Sequence, residues 1–313
     1  MTTRTPRQKR WVVRPGDGAT VAEIVRKAGD TERALTEGRV FLGRRRVTSG
    51  ALPVQSGDEV VIGPPPARGP SRAPTWSILW EWPGLVACVK PAGMPTVPDH
   101  AGAAHSLVAL AATSLGKSVN DLFVTSRLDR EVSGVVVFAT SRGAEARLKE
   151  ARARGAYERR YVAIAVDGAS SPEPWNAPIG LGKDARHRAA FGPDAKESLT
   201  LWSAVACAGG FALLAVAPQT GRTHQIRVHA SHAGAPLLGD RDYGGPARAT
   251  LPGGRVVSLA RIALHAARVS VPDEAGAPRV AEAPIPVELR GAWTDLGGAS
   301  EAWDTAVTCA LGS

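Results

Sequence analysis

The densest run of chemically capable side chains in this 313-residue chain is Thr220-Gly221-Arg222-Thr223-His224-Gln225-Ile226-Arg227-Val228-His229. Thr220 and Thr223 are candidate N-caps, so a helix over about 223–233 is expected behind a glycine turn. On that helix His224, Arg227 and Val228 share one face, and Gln225, His229 and His232 share another. Cations and amide donors at a helix start hold phosphate, because unpaired backbone N–H groups already point there. A metal site on His224, His229 and His232 lacks both a carboxylate partner and a familiar ligand spacing, so no metal is expected. Taken alone, the run is equally explained by a capped, solvated helix face.

A second candidate is Ser126-Arg127-Leu128-Asp129-Arg130-Glu131-Val132-Ser133, set immediately before the apolar run Gly134-Val135-Val136-Val137-Phe138-Ala139. Cations beside a carboxylate favour its charged form. An ionised, partly buried Asp129 at the mouth of a strand suits a nucleophile or a base. The bland alternative is a surface ion pair, and a hydrolase using Asp129 with Glu131 is a further reading. The third stretch, Lys90-Pro91-Ala92-Gly93-Met94-Pro95, needs only a structural explanation, as a rigid turn after a strand.

These stretches need a scaffold, and the apolar pattern supplies one. Strands are expected at 85–89, 134–139, 161–166 and 211–217, and helices near 105–115 and 142–153. Strands and helices do not strictly alternate. The expected class is therefore α+β, with a mixed, largely antiparallel central sheet flanked by helices and loops. Residues 11–63 read as a separate small α+β unit. Val21, Ile24, Val25 and Ala28 mark a helical face, a short helix follows over 33–37, and a strand and turn lead to the basic tip Arg44-Arg45-Arg46. Residues 1–10 read as a flexible basic arm, 64–75 as a proline-rich linker, and 76–313 as the main domain.

Composition narrows the class further. Hydrophobic residues make up 44% and charged residues 21%, which is globular rather than disordered. Cys88, Cys207 and Cys309 are too far apart for a disulfide framework. No apolar run approaches the length of a membrane span, and Met1–Arg10 does not resemble a secretory signal, so a cytoplasmic protein is expected. Lys plus Arg outnumber Asp plus Glu by 38 to 29, a net charge of +9. Only seven of the cations are Lys, so GC-rich coding explains much of the arginine content. Residues 1–63 nevertheless hold 12 cations against 7 anions, a net +5 (12 minus 7), which points to a polyanionic partner for that unit.

Taken in order, KPAGMP, RLDREVSGVVVFA, Arg160-Tyr161-Val162-Ala163, TGRTHQIRVH with its continuation Gly234 to Asp240 and Tyr243-Gly244, and Leu264-His265-Ala266 resemble the RluA-type RNA pseudouridine synthases over about residues 80–290. Residues 11–63 more weakly resemble the S-four-type RNA-binding module that often precedes this domain. The resemblance implies an isomerase that converts selected uridines of structured RNA to pseudouridine. Large-subunit ribosomal RNA is the first expectation and transfer RNA the second. No cofactor and no metal are implied, RNA is the partner, and a monomer is expected in a bacterial cytoplasm. Asp129 then matches the attacking carboxylate, Tyr161 the active-site tyrosine and Arg227 the arginine that pairs with Asp129. Arg127, Arg222, His224 and Gln225, with Arg39, Arg44, Arg45 and Arg46 of the first unit, are the expected RNA contacts. Two positions depart from the family pattern: Ser126 stands where His is usual and Val132 where Thr is usual. They are the only sequence support for the alternative, a catalytically silent RNA-binding or ribosome-assembly protein on the same fold.

Overall fold

The computed structural model describes residues 9–29, 33–36, 40–43, 45–47, 49–63, 75–98, 105–168, 173–184, 187–252 and 254–311. The chain divides into two compact units, Met1–Ala73 and Pro74–Ser313. The first runs β1 (Lys9–Val12), α1 (Val21–Lys27), α2 (Arg33–Thr36), β2 (Val40–Leu42), β3 (Arg45–Val47) and β4 (Glu59–Ile62). Its sheet has the order β1-β4-β2-β3, with every pair antiparallel. Val21, Ile24 and Val25 of α1 are fully buried against Val40, Val60 and Ile62, which accounts for the helical spacing in the sequence.

The flexible arm expected over 1–10 fails at Lys9 and Arg10. These residues open β1, opposite Ile62 and Val61, and the Lys9 ammonium donates to the carbonyls of Ala28 and Gly29, each at 2.9 Å. A basic side chain is no bar to an edge strand when its charge can cap a helix end. The basic tip is a β2–β3 hairpin on which Arg45 is exposed. Arg39, Arg44, the Arg46 side chain, residues 1–8 and 64–74 of the linker lie outside the described residues.

The second unit runs β5 (Ser77–Trp82), β6 (Leu85–Lys90), α3 (Leu107–Ser114), β7 (Phe123–Val124), β8 (Ser133–Ala139), α4 (Arg142–Ala153) and β9 (Glu158–Val166). It continues with β10 (Ile179–Leu181), β11 (Arg188–Ala190), β12 (Thr200–Ala208), β13 (Phe211–Pro218) and α5 (Gln225–His232). Last come β14 (Arg248–Thr250), β15 (Val256–Ser258), β16 (Leu264–Pro272), β17 (Pro278–Glu282), α6 (Val287–Asp295) and α7 (Ala302–Thr308). The main sheet has the order β12-β13-β9-β16-β8-β6-β5, with β17 on β16 and β7 on β8. Among the described residues every pair in it is antiparallel except β16 with β8, so the mixed, largely antiparallel sheet is as expected.

The period of two along β9 decides what faces the site. Tyr161, Ala163 and Ala165 share a core with α3 and α5 on one face of the sheet. Val162 and Ile164 point the other way and pack with Trp293 of α6 and Trp303 of α7. The C-terminal tryptophans are thus the core of a covering layer, both fully buried. β8 is buried along its whole length, because it is covered on both faces, and reads as an unbroken apolar run for that reason.

The one parallel junction sets the start of β8. Gly134 lies opposite Ala266 at φ +124°, and a Cβ there would fall inside the Ala266 backbone. Next to it the Ser133 hydroxyl bonds His265 Nδ1 at 2.7 Å and accepts from Arg261 Nη2 at 2.7 Å, while His265 Nε2 lies 3.3 Å from the Ala283 carbonyl. Burial pushes His265 down to about 3, so the folded protein holds it neutral. Two outcomes are expected. Gly134→Ala should cost about 3 kcal/mol of stability, read by urea denaturation. Between pH 6.5 and about 3 the unfolded chain takes up a proton at His265 that the folded chain refuses, so stability is lost as pH falls through that window. The wild-type curve should therefore fall more steeply there than that of His265→Gln, by up to about 1.4 kcal/mol per pH unit.

Candidate active site

Asp129 sits in the loop between β7 and β8, and a turn from another part of the chain holds that loop on both sides of it. The Lys90 ammonium, at the end of β6, donates to the carbonyls of Pro91 (3.0 Å), Met94 (2.7 Å) and Arg130 (3.1 Å). Gly93 N–H donates to the same Arg130 carbonyl at 2.7 Å, and Arg130 Nε returns a bond to the Gly93 carbonyl. On the other side the buried Thr96 hydroxyl donates to the Leu128 carbonyl at 2.8 Å and accepts the Leu128 N–H at 3.1 Å. Lys90 is fully buried, which pushes it down to about 7, while three carbonyl acceptors use all three ammonium protons. The KPAGMP stretch is thus the clamp that aims Asp129.

Arg227, on α5, reaches the same place from the opposite partner motif. Arg227 is 4% exposed. Nε and Nη2 make a two-pronged pair with Asp240 at 2.7 Å each, Nη1 donates to Asp129 Oδ2 at 3.1 Å, and Nη2 donates to Asp242 at 3.1 Å. The plane lies over the Tyr243 ring, 4.7 Å from its centroid. Those carboxylates outweigh burial and raise Arg227 above its ordinary value, so it is a permanent cation. Asp240 has no solvent exposure at all, which makes the pair a fixed abutment for Asp129 rather than a mobile surface bridge.

α5 begins at Gln225, not at Thr223, and neither threonine caps it. His224 stands at the cap position with a left-handed φ of 57°, and the Thr220 hydroxyl turns instead to Gln225 Oε1 at 2.8 Å. The Tyr243 hydroxyl accepts from Arg188 N–H at 2.9 Å and lies 2.7 Å from His224 Nδ1. The other ring nitrogen, His224 Nε2, faces Asp129 Oδ1 at 3.8 Å. Burial holds His224 below its ordinary value.

Asp129, Tyr161, Arg227, Arg127, Arg222 and His224 all line one cavity of about 220 Å³. Tyr161 is 7% exposed, and burial raises its hydroxyl to about 12, so it enters as the phenol at neutral pH. Arg127 and Arg222 are exposed at the cavity, where Arg222 Nε donates to the Glu197 carbonyl at 3.1 Å. Gln225 touches the cavity, but its amide is spent inside the protein. Oε1 accepts from Thr220 and from Arg222 N–H, and Nε2 donates to the Leu199 carbonyl and the Thr200 hydroxyl. It braces the loop, a role the sequence run did not distinguish from an RNA contact. His229 bonds Thr200 and the Ala177 carbonyl through its two ring nitrogens. Glu131 lines a different depression from Asp129, so the two do not form an acid/base pair. Ser126 lines the cavity, while Val132 is buried in the core. Sequence reasoning missed Arg152 and Arg159, which also line the cavity, and Asp240, which stood in view only as the last residue of a motif.

Comparison with known proteins gives the family. Residues 84–232 match the family model described as RNA pseudouridylate synthase. An uncharacterized RNA pseudouridine synthase of Bacillus subtilis, YhcT, is 32% identical over 76% of this chain and 78% of its own length. The ribosomal large subunit pseudouridine synthase D of Xanthomonas campestris is 30% identical over 84% of this chain and 80% of its own. Among solved structures, human RNA pseudouridylate synthase domain containing 1 shares the fold with a TM-score of 0.58 at 20% identity, over 78% of this chain and 99% of that one. With Asp129, Tyr161 and Arg227 gathered in one cavity on that fold, the chain belongs to the RluA-type family of RNA pseudouridine synthases.

Proposed function

We propose that the enzyme isomerises specific uridines of large-subunit ribosomal RNA, with Asp129 as the attacking carboxylate. The observation that carries this reading is the Asp129 carboxylate held at 3.1 Å by an arginine that is itself locked to buried Asp240, in one cavity with Tyr161. The name of the Xanthomonas relative, a ribosomal large subunit pseudouridine synthase, supports the choice of RNA. The target uridine leaves its stack to enter the cavity, at a cost of a few kcal/mol. Asp129 forms a covalent bond to the sugar or the base, the bond from the sugar to nitrogen 1 breaks, and the freed base turns. Carbon 5 then bonds the sugar and gives up its proton, nitrogen 1 gains one, and the Asp129 bond is released. Tyr161 offers a ring to stack on uracil and a protonated hydroxyl to hand on a proton. Arg227 fixes the carboxylate throughout.

The first unit serves as an S-four-type RNA-binding module in this reading. Exposed Arg45 on the β2–β3 hairpin supports that role, with Arg39, Arg44 and Arg46 as its neighbours in sequence.

Site-resolved pseudouridine mapping of total RNA from cells with and without the gene tests the reading. One or more large-subunit ribosomal uridines should lose their modification, and a loss confined to transfer RNA would reassign the substrate. In the purified protein Asp129→Asn should abolish turnover with RNA affinity and stability nearly unchanged. Asp240→Asn, which unpairs a buried cation, should lose turnover and also about 3 kcal/mol of stability. Residual turnover in Asp129→Asn would remove the covalent role. Neutralising Arg44, Arg45 and Arg46 together should weaken RNA binding and flatten its salt dependence by about 0.7 per lost phosphate contact.

A further inference from the structure

Two arginines of the cavity have no part in the chemistry above. Arg152 projects from the last turn of α4; its Nη1 donates to the Thr125 carbonyl at 2.6 Å and its Nη2 to the Gly221 carbonyl at 3.4 Å. It therefore touches the loop that carries Asp129 and the loop that leads into α5. The guanidinium lies so close against Gly221 that a Cβ there would collide with it. Arg159, on β9, is 7% exposed and donates through Nη2 to the carbonyls of Pro218 (2.8 Å) and Thr220 (2.7 Å). Its Nε is a buried donor with no acceptor among the described residues.

The contrast with Arg227 is the telling point. Arg227 is matched by three carboxylates. The bonds made by Arg152, Arg159 and Arg222 go to neutral carbonyls, and among the described residues no carboxylate forms an ion pair with any of the three. Burial, and then the charges of Arg159 and, less, Arg222, push Arg152 below its ordinary value, and all three arginines line the one cavity. Like charges gathered at a cavity wall, fixed by backbone bonds and given no counterion, favour an anion arriving from outside. A guanidinium has five N–H donors, so those not spent on carbonyls remain for anionic oxygens.

We propose that Arg152, with Arg159 and Arg222, seats one phosphodiester of the RNA strand that carries the target uridine. The proposal rests on the RNA-modifying reading above. Arg152 has two jobs in it: it ties the Asp129 loop to the Gly221 loop, and it supplies charge to the backbone of a nucleotide entering beside Asp129. The phosphate holds the strand while the base is out of its stack.

The test is binding of a fluorescein-labelled dodecauridylate across a salt series, by anisotropy, for the full-length wild type, Arg152→Met, Arg152→Lys and Arg154→Met. Arg154 is exposed just past the end of the same helix and pairs with Glu150, so it reports the effect of simply removing a cation there. Arg152→Met should bind about tenfold more weakly, with a salt slope shallower by about 0.7. Arg152→Lys, which keeps the charge but cannot span both carbonyls, should regain most of the slope. Arg154→Met should resemble wild type. An unchanged affinity and slope in Arg152→Met overturns the proposal. So does an equal loss in the Met and Lys variants at wild-type slope, which would leave Arg152 a tie between loops only. Inorganic phosphate is added as a competitor. Displacement of the oligonucleotide by phosphate equally well in wild type and Arg152→Met would also overturn the assignment. Pseudouridine formation by the wild type is read separately, so failure of the seat and failure of the activity are distinguished.

Discussion

The site depends on one buried cation. Arg227 carries a permanent charge at 4% exposure, and such a charge is tolerable only because Asp240, itself fully buried, takes two of its donors. The same plane then has a donor left for Asp129 and a face for Tyr243. The pair is therefore both a structural cross-link, between α5 and the turn that follows it, and the reference point from which the Asp129 carboxylate is set. The geometry of Asp129 is fixed from two directions, by Arg227 at its side chain and by the Lys90–Thr96 turn at its backbone. Neither constraint alone would do this. A carboxylate held only by its charge partner can swing with its loop, and a clamped loop leaves χ rotation free.

The sheet makes these constraints meet. Asp129 precedes β8 and Tyr161 lies within β9, and the alternation along β9 turns Tyr161, not Val162, toward α5. The covering helices α6 and α7 bury the opposite face with two tryptophans, which stiffens the sheet without entering the site. The cavity thus draws Asp129 from a loop, Tyr161 from within β9 and Arg227 from α5, and the sheet sets the position of all three.

Much of this was legible from residue types. The runs that became β6, β8, β9 and β13 are continuous and apolar because those strands are covered on both faces, and this burial removes the alternation that marks a surface strand. Asp129, Tyr161 and Arg227 stood out because motifs gather unusual polar residues next to apolar runs. What failed did so for local reasons. The α5 start was misread because a side chain that can cap, Thr220, found a better partner in Gln225, and a left-handed His224 took the cap position. The bracing bonds of Gln225 were not legible, because nothing in the sequence reveals that Thr200 and Leu199 would arrive to satisfy its amide. Arg152 was invisible for the same reason: its partners are 27 and 69 residues away in the chain, and periodicity carries no information at that range. Ser133 and Gly134 were visible as a motif, but their purpose, a close crossing with His265 and Ala266, is a property of the assembled sheet.

The place of β16 in the sheet orders events in time. This strand, residues 264–272, lies between β9 and β8, and these do not otherwise pair. Until it inserts, the sheet is two separate pieces, one leading from Asp129 and the other carrying Tyr161. A chain emerging from the ribosome thus possesses Asp129, Tyr161 and Arg227 some forty residues of synthesis before it possesses the strand that brings them together, since Arg227 and Leu264 are 37 positions apart. Closure by a strand so distant in sequence from its neighbours is a high-contact-order event. Pairing along β16 joins the Asp129 strand to the Tyr161 strand, and the covering layer of Trp293 and Trp303 comes later still in the sequence.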